Sequence, residues 1–494
     1  MSALTNAIAT GLDRGLEIPL HRQLYAEIRQ AVLEGRLRPG IRLPSSRTLA
    51  SELHLARNTV LSAYDQLIAE GYLQVRRGSG AYVVDTLPGI RSGELRSKPL
   101  AGGRYKTQSR RGVNLQKLAP LLPPPNPIPF RHGFPALEEF PRKTWARLVG
   151  KHWRTVSKAG LGYGTAQGFF PLRQAIADYL AAFRAVKCSP HQIIVVAGSQ
   201  QAIYLAGQVT LDPGERVLVE DPGYMGARAA LLAAGAKLVP GAVDEEGLDI
   251  MDPDLQKLRP RMIYSTPSNQ YPTTVTMTLN RRRCLLDWAY RRGAWILEDD
   301  YDSEFRYDSR PIAALQGLDD RGCVIYVGTF SKLLVPSLRL GYIVAPSSLV
   351  DSLTAASAVV TRHPPAAEQM VLARFIDEGH LSRHVKRMKV IYRDRRDALL
   401  ASARKHASGL FEIECPAGGT HVIGELKPRL SDVRVAQRAA EFGVECRPLS
   451  KYYLRRRGRN GLILGYGGFS SAAIDRAMVR LVESVATLGP ATSH

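Results

Sequence analysis

Residues 324–332, Val-Ile-Tyr-Val-Gly-Thr-Phe-Ser-Lys, run from an apolar stretch into a short polar loop that ends on Lys332. Four apolar residues without polar alternation read as a strand buried on both faces. A lysine delivered at the end of such a strand is drawn out of water. Desolvation disfavours its ammonium form and leaves a nucleophilic amine, the group that forms Schiff bases with carbonyl compounds. Leu338-Arg339-Leu340-Gly341-Tyr342 follows closely. The hydroxyls of Thr329 and Ser331 and the guanidinium of Arg339 are donors that suit a phosphate dianion.

Similar apolar runs recur on either side, at 193–197, 217–219, 262–264, 295–297 and 340–345, with amphipathic helical sequence interleaved. Buried strands alternating with helices predict an α/β domain built on a mainly parallel, doubly wound sheet. Its ligand is expected beyond the carboxyl ends of the strands. Polar clusters stand at those ends. Glu298-Asp299-Asp300-Tyr301 supplies a carboxylate and a phenol. A pyridoxal 5′-phosphate (PLP) ring needs both: Asp299 to hold its pyridine nitrogen protonated and Tyr301 beside its 3-oxygen. Ala197-Gly198-Ser199-Gln200-Gln201 opens a helix whose first amides, with Ser199 and Gln200, suit a phosphate. Glu220-Asp221-Pro222-Gly223-Tyr224 offers an aromatic ring, Tyr224, to stack on a pyridine. Each signal alone is common on protein surfaces; their succession on strand ends is not.

The first 85 residues have a different character. Leu20, Leu24, Ile28, Val32 and Leu33 lie along one side of a helix over 20–35, and Leu37-Arg38-Pro39-Gly40 turns the chain. Leu43-Pro44-Ser45-Ser46-Arg47 starts a second helix with a serine cap, and His54 to Val60 turns into a third. Residues 74–83 read as a hairpin with a glycine-rich tip. A helix, a helix-turn-helix and a two-stranded wing predict a winged helix. Between this unit and the α/β domain, residues 86–126 carry eight Lys and Arg against Glu94 alone and close on Pro123-Pro124-Pro125. They read as a basic linker. The expected domains are therefore 1–85, the linker 86–126, and 127–494.

Of the 494 residues, 45% are hydrophobic and 23% charged, the balance of a globular protein with ample core. The formal net charge of +22 favours a polyanionic partner. Five cysteines are widely spaced and show no C-x-x-C pair, which argues against a disulfide framework and against a zinc site. The amino-terminal residues lack a signal-peptide pattern, and no apolar run reaches membrane-spanning length. A cytoplasmic protein with no membrane partner is expected.

The segments L-P-S-S-R-T-L-A (43–50), A-R-N-T-V (56–60), A-Y-D-Q-L-I-A-E-G-Y-L (63–73) and R-R-G-S-G-A-Y-V (76–83) resemble the GntR-type winged-helix family over 17–84. That resemblance implies operator DNA as partner, contacted by Arg47, by Arg57, Asn58 and Thr59 at the start of the recognition helix, and by Arg77 and Gly78 at the wing. From about 127 to 490, Y-G-T-A-Q-G-F-F-P-L-R (163–173), V-V-A-G-S-Q-Q-A (195–202), E-D-P-G-Y (220–224), E-D-D-Y-D-S-E-F-R-Y (298–307) and G-T-F-S-K-L-L-V-P-S-L-R-L-G-Y (328–342) resemble the fold type I aminotransferases. The whole chain resembles the MocR family of regulators, which joins the two. The resemblance implies PLP as cofactor, with Lys332 forming its Schiff base, Asp299 on the pyridine nitrogen, Tyr301 on the 3-oxygen and Tyr224 stacked. Ser199, Gln200, Thr329, Ser331 and Arg339 would hold the phosphate. Tyr163 would reach the phosphate of a neighbouring subunit, which implies a homodimer.

Three positions depart from the aminotransferase pattern. The arginine that commonly clamps a substrate carboxylate is replaced by Ile463 within 461–466, Gly-Leu-Ile-Leu-Gly-Tyr. The ring-contact asparagine falls at Asn269 or at Tyr271, depending on alignment. Gly226 stands where some relatives place a ligand-binding arginine, with Arg228 nearby as a substitute; His421 and Lys451 are further pocket candidates. Three readings follow, in this order: a regulator that senses PLP or an amino compound reacting with it; an active aminotransferase with an attached reader; and a regulator whose second domain is a dimerisation scaffold. On the first, any transamination is vestigial.

Overall fold

The computed structural model describes residues 12–76, 79–85, 108–118, 128–307, 312–455 and 458–488. The chain divides into two compact units, Met1–Thr107 and Gln108–His494.

In the first unit α1 (Leu20–Leu33), α2 (Ser46–Leu53) and α3 (Arg57–Ala69) precede a hairpin of β1 (Leu73–Arg76) and β2 (Gly80–Val83). Leu24, Ile28 and Val32 recur every fourth residue of α1 and are buried against Leu49, Val60, Ala63 and Leu67 of α2 and α3. Each such side chain contributes about 1.5–3 kcal/mol on leaving water. Ser45 caps α2 by accepting from the Thr48 amide at 3.1 Å. His54, at φ 52°, ends α2 in the left-handed region and turns the chain toward α3. The hairpin pairs Leu73 with Val83 and Arg76 with Gly80, so Leu73 and Val83 close the core from the wing side.

The second unit is built on an eight-stranded sheet. Its strands are β3 (Ile193–Val196), β4 (Arg216–Asp221), β5 (Lys237–Asp244), β6 (Gly247–Leu248), β7 (Met262–Ser265), β8 (Trp295–Asp300), β9 (Val324–Thr329) and β10 (Gly341–Val344), in the order β3-β10-β9-β8-β7-β4-β5-β6. The central pairs from β9 to β5 are parallel, while β10 and β6 run against their neighbours. Alternate residues of β3 enter different cores: Ile193 and Val195 face one side, Ile194 and Val196 the other. Burial on both faces accounts for the unbroken apolar runs in the sequence. Strand β5 was not foreseen because Pro240 and Gly241 interrupt it and Lys237, Asp244 and half-buried positions give it no continuous apolar face.

A smaller antiparallel sheet has the order β11-β12-β14-β13, from β11 (Phe411–Ile413), β12 (His421–Leu426), β13 (Arg447–Pro448) and β14 (Gly461–Gly465). The 27-residue helix His380–His406 and helix Ser471–Ala486 pack together beside it.

The reading of 86–126 as linker throughout needs correction. Residues Arg110–Leu118 form a helix that belongs to the second unit. Arg111 donates to the Ala233 carbonyl at 3.1 Å, at the carboxyl end of helix Met225–Ala233, where a cation meets the negative end of the helix dipole. The segment shows no apolar stripe, and Val113 and Leu115 are exposed, so this anchoring by one arginine left no periodicity to find.

Candidate functional site: a lysine-ended cavity and a helical reader

Four strand ends converge on one cavity of about 310 Å³. It is lined by Lys332, Asp299, Tyr301, Tyr224, Ser199, Gln200, Thr329, Ser331 and Arg339, so nine of the eleven expected cofactor residues meet there. Lys332 follows β9, and its Nζ donates to the Gly133 carbonyl. A Cβ at position 133 would stand 3.3 Å from that Nζ, so the glycine makes room for the amine. Burial lowers the lysine's pKa, opposed by the charges of Asp302 and Asp299.

Asp299, on β8, accepts from the Tyr264 hydroxyl through Oδ2 at 2.7 Å. Its Oδ1 is buried and has no hydrogen-bond partner, and the same holds for the hydroxyl of Tyr301. Burial raises the Asp299 carboxyl to about 7, against the hydrogen bond from Tyr264. A buried acceptor and a buried hydroxyl left open toward one cavity are what a protonated ring nitrogen and a ring oxygen would satisfy. The donor set at the opposite end fits a phosphate: Ser199 and Gln200 begin helix Ser199–Thr210, and Thr329, Ser331 and Arg339 come from β9 and beyond. Arg339 holds a left-handed backbone, φ 49°, unusual for arginine; a Cβ on Gly198 would meet its guanidinium at 3.6 Å. These residues fit PLP.

Gln200 also donates to the Gly226 carbonyl at 2.8 Å, which ties two helix starts together. A Cβ at Gly226 would lie 2.4 Å from the Tyr224 ring, so a side chain there is incompatible with the tyrosine's position. Arg228 does not substitute for a ligand arginine. It is buried and donates to the Glu220 carbonyl (3.1 Å) and to Asp221 (3.2 Å), away from the cavity lining.

Two expected cofactor residues are elsewhere. The amide of Asn269 donates to both oxygens of Asp302, at 2.9 and 3.0 Å, and does not line the cavity; Tyr271 does. The reason is electrostatic: burial pushes the Asp302 carboxyl up to about 8, and Asn269 is its hydrogen-bond donor. Tyr163 is 78% exposed, with the Arg362 guanidinium 4.5 Å from its ring centroid.

The far wall was largely unread in the sequence. His132, Tyr271, Tyr452, Thr420, Arg131 and Arg447 line it together with His421, whereas Lys451 does not. Burial holds both histidines neutral, lowering His421 to about 4 and His132 well below its ordinary value. His421 Nε2 lies 2.9 Å from the Pro272 carbonyl, which makes that nitrogen the protonated one. His132 Nε2 meets the hydroxyls of Tyr271 and, at 3.3 Å, Tyr452. Ile463 packs behind this wall with Ile423, Leu449 and Tyr452.

In the first unit Arg47 is exposed in the first turn of α2, and Arg57 and Asn58 are exposed at the start of α3, with Thr59 half-buried. Arg77 and Gly78 lie outside the described residues. No helix among the described residues is long and apolar enough to cross a membrane.

Comparison with known proteins agrees with this architecture. Residues 20–83 match the family described as bacterial regulatory proteins, gntR family, and residues 144–466 match aminotransferase class I and II. The chain is 40% identical over 457 residues to a probable rhizopine catabolism regulatory protein MocR of Rhizobium meliloti, covering 92% of each. It is 34% identical over 477 residues to an uncharacterized HTH-type transcriptional regulator, YhdI, of Bacillus subtilis, covering 97% and 98%. Among solved structures, α-aminoadipate aminotransferase LysN of Thermus thermophilus, complexed with N-(5′-phosphopyridoxyl)-L-leucine, superposes with a TM-score of 0.68 at 30% identity. That match covers 77% of this chain and 95% of LysN. A GntR-type winged helix followed by a fold type I aminotransferase domain defines a chimeric transcription regulator. The chain belongs to the MocR family of such regulators.

Proposed function

We propose that this protein is a DNA-binding transcription regulator that takes PLP covalently at Lys332 and senses PLP itself or an amino compound that reacts with it. The observation that carries the reading is the pair of buried, unpartnered atoms, Asp299 Oδ1 and the Tyr301 hydroxyl, facing a cavity that ends on a buried lysine. When bound, PLP supplies an aldehyde that captures amines and a ring that draws electrons from them. Tyr224 stacks on the ring, and Ser199, Gln200, Thr329, Ser331 and Arg339 hold the phosphate. Without a partner at Oδ1, burial raises the Asp299 carboxyl to about 7; a protonated ring nitrogen beside it would favour the carboxylate.

Arg47, Arg57, Asn58 and Thr59, with Arg77 and Gly78, contact operator DNA in the cytoplasm. Exposed arginine and asparagine at a helix start suit base edges in the major groove. The unit at work is a homodimer in which Tyr163 reaches across. Ligand binding at the lysine shifts the equilibrium between DNA-binding states by as much as its affinity for them differs.

An active aminotransferase is the second reading, favoured by the complete Lys332, Asp299, Tyr301 and Arg339 set. Ile463, buried among apolar side chains, and Arg228, engaged with Asp221, weigh against it. Two measurements test the proposal. Purified protein given PLP turns yellow and protects its own upstream region in footprinting; a protein that stays colourless contradicts it. Sustained turnover of an amino donor with a keto acid would favour the enzyme.

A further inference from the structure

Asp299 and Tyr301 line the lysine cavity, and the chain that continues from them lines a second one with Ser303, Glu304 and Arg306. This pocket encloses about 330 Å³, within the roughly 300–1,000 Å³ of small-molecule sites. Its other walls are the carboxyl-terminal turns of helix Phe170–Arg184 and the amino-terminal turns of helix His380–His406. Among the described residues none lines both cavities.

One wall is aromatic. Tyr179 and Phe183 stand one turn apart on the same helix face, with ring centroids 4.9 Å from each other. Phe183 is 44% exposed, so the pocket carries an apolar ring that nothing in the described chain covers. Val385, on the long helix, adds an aliphatic surface.

The charges around that wall are unequally engaged. Arg184 donates to Asp300 at 2.9 Å, to Ser268 at 2.7 Å and to the Ile312 carbonyl at 2.6 Å. Arg306 donates to Thr276 at 2.8 Å. Glu304, the one carboxylate among the described lining residues, accepts from the Tyr179 hydroxyl at 3.1 Å. Lys386 and Lys389 also line the pocket, three positions apart on the long helix, and neither makes an ion pair with a described residue. Two ammonium groups beside an uncovered aromatic pair suit a ligand with a flat apolar body and one anionic end. Its ring would pack on Tyr179, Phe183 and Val385 while its acid meets the lysines.

We propose that this pocket is a second ligand site and that it takes an aromatic carboxylate, whose acid Lys386 and Lys389 receive. Such a ligand needs no amine, so its recognition does not depend on Schiff-base chemistry at Lys332.

The test uses the full chain given PLP and three probes in calorimetry: benzoate, benzyl alcohol, which lacks the charge, and acetate, which lacks the ring. Benzoate is expected to bind about tenfold or more tighter than either, through charged hydrogen bonds in one comparison and a buried ring in the other. Replacing both lysines, Lys386→Gln with Lys389→Gln, removes the advantage over benzyl alcohol. Phe183→Ser reduces the advantage over acetate. Lys386 and Phe183 are exposed and Lys389 is half-buried, so both variants should keep the Tm and the cofactor's visible absorption of the unaltered chain. Equal affinity for the three probes overturns the inference. So does a benzoate preference that survives the loss of both lysines, because benzoate then occupies another site, the lysine cavity included. A chain that stays colourless with PLP yet binds benzoate in the expected pattern overturns the PLP reading and leaves the second site standing.

Discussion

The two walls of the cavity differ in how they are built. The wall around Lys332 comes from consecutive residues at the ends of β8 and β9, and its groups fit one cofactor. The wall around His132 and Arg447 comes from a loop near residue 132, the turn at Tyr271, and the small sheet with its loops. There Ile463 stands where the aminotransferase pattern has an arginine, and Arg447, its partner on the paired strand, lines the cavity. One wall that keeps the family pattern, facing another that departs from it, is what the proposed reading expects: a cofactor site retained and amino-acid turnover altered.

The largest effect should come from the anchor wall. Arg339→Met removes charge-assisted bonds to phosphate and should weaken PLP binding by about 1.5–3 kcal/mol, roughly tenfold to a hundredfold, in a fluorescence or absorption titration. An unaffected titration would mean that the phosphate sits elsewhere. Asp299→Asn should weaken PLP binding by a comparable or smaller amount, and it should also change the pH dependence of the cofactor-free protein. Burial raises Asp299 and Glu298 to about 7 and Asp302 to about 8, above their unfolded values near 4. These carboxyls make the folded state bind more protons than the unfolded one, which lowers stability as pH rises; the buried histidines, neutral when folded, work the other way below their unfolded value of about 6.5, so the net fall lies between about 6 and 8. The Tm of the cofactor-free protein should therefore be higher at pH 6 than at pH 8, and Asp299→Asn should flatten part of that slope. A Tm that rises over the same interval would contradict the burial of these carboxyls.

Asn269→Ala sharpens the comparison from the other side. It strips both donated bonds from the buried Asp302 and should destabilise the fold by about 1–3 kcal/mol in thermal denaturation, while the cofactor's colour still forms. Loss of colour at full stability would return Asn269 to the cofactor. The smallest effect belongs to the reader: Ser45→Ala should lower the stability of the first unit by about 1 kcal/mol, measured by denaturant unfolding, through the lost cap on α2.

What the sequence disclosed follows the same division. Lys332, Asp299, Tyr301 and Ser199 were legible because a buried strand and the polar residues just after it are contiguous, and contiguity is what a sequence displays. Ser45, Arg57 and the wing were legible for the same reason. His132, Gly133, Tyr271 and Arg447 carry no local pattern. They become a wall only when the loop near 132, the turn at 271 and the edge of the small sheet are folded against the large one. Asn269 was assigned to the cofactor by position along the chain; the unforeseen neighbour was Asp302, a buried carboxyl needing its amide. Helix Arg110–Leu118 escaped notice because one arginine, not an apolar stripe, fastens it.

The central claim is that Lys332 is the covalent anchor of a PLP-dependent sensor. The protein incubated with PLP, reduced with borohydride and digested should yield one pyridoxyl-modified peptide, with the modification on Lys332, and the Lys332→Ala chain should yield none. Modification spread over surface lysines, or equal labelling of the Lys332→Ala chain, would contradict the account.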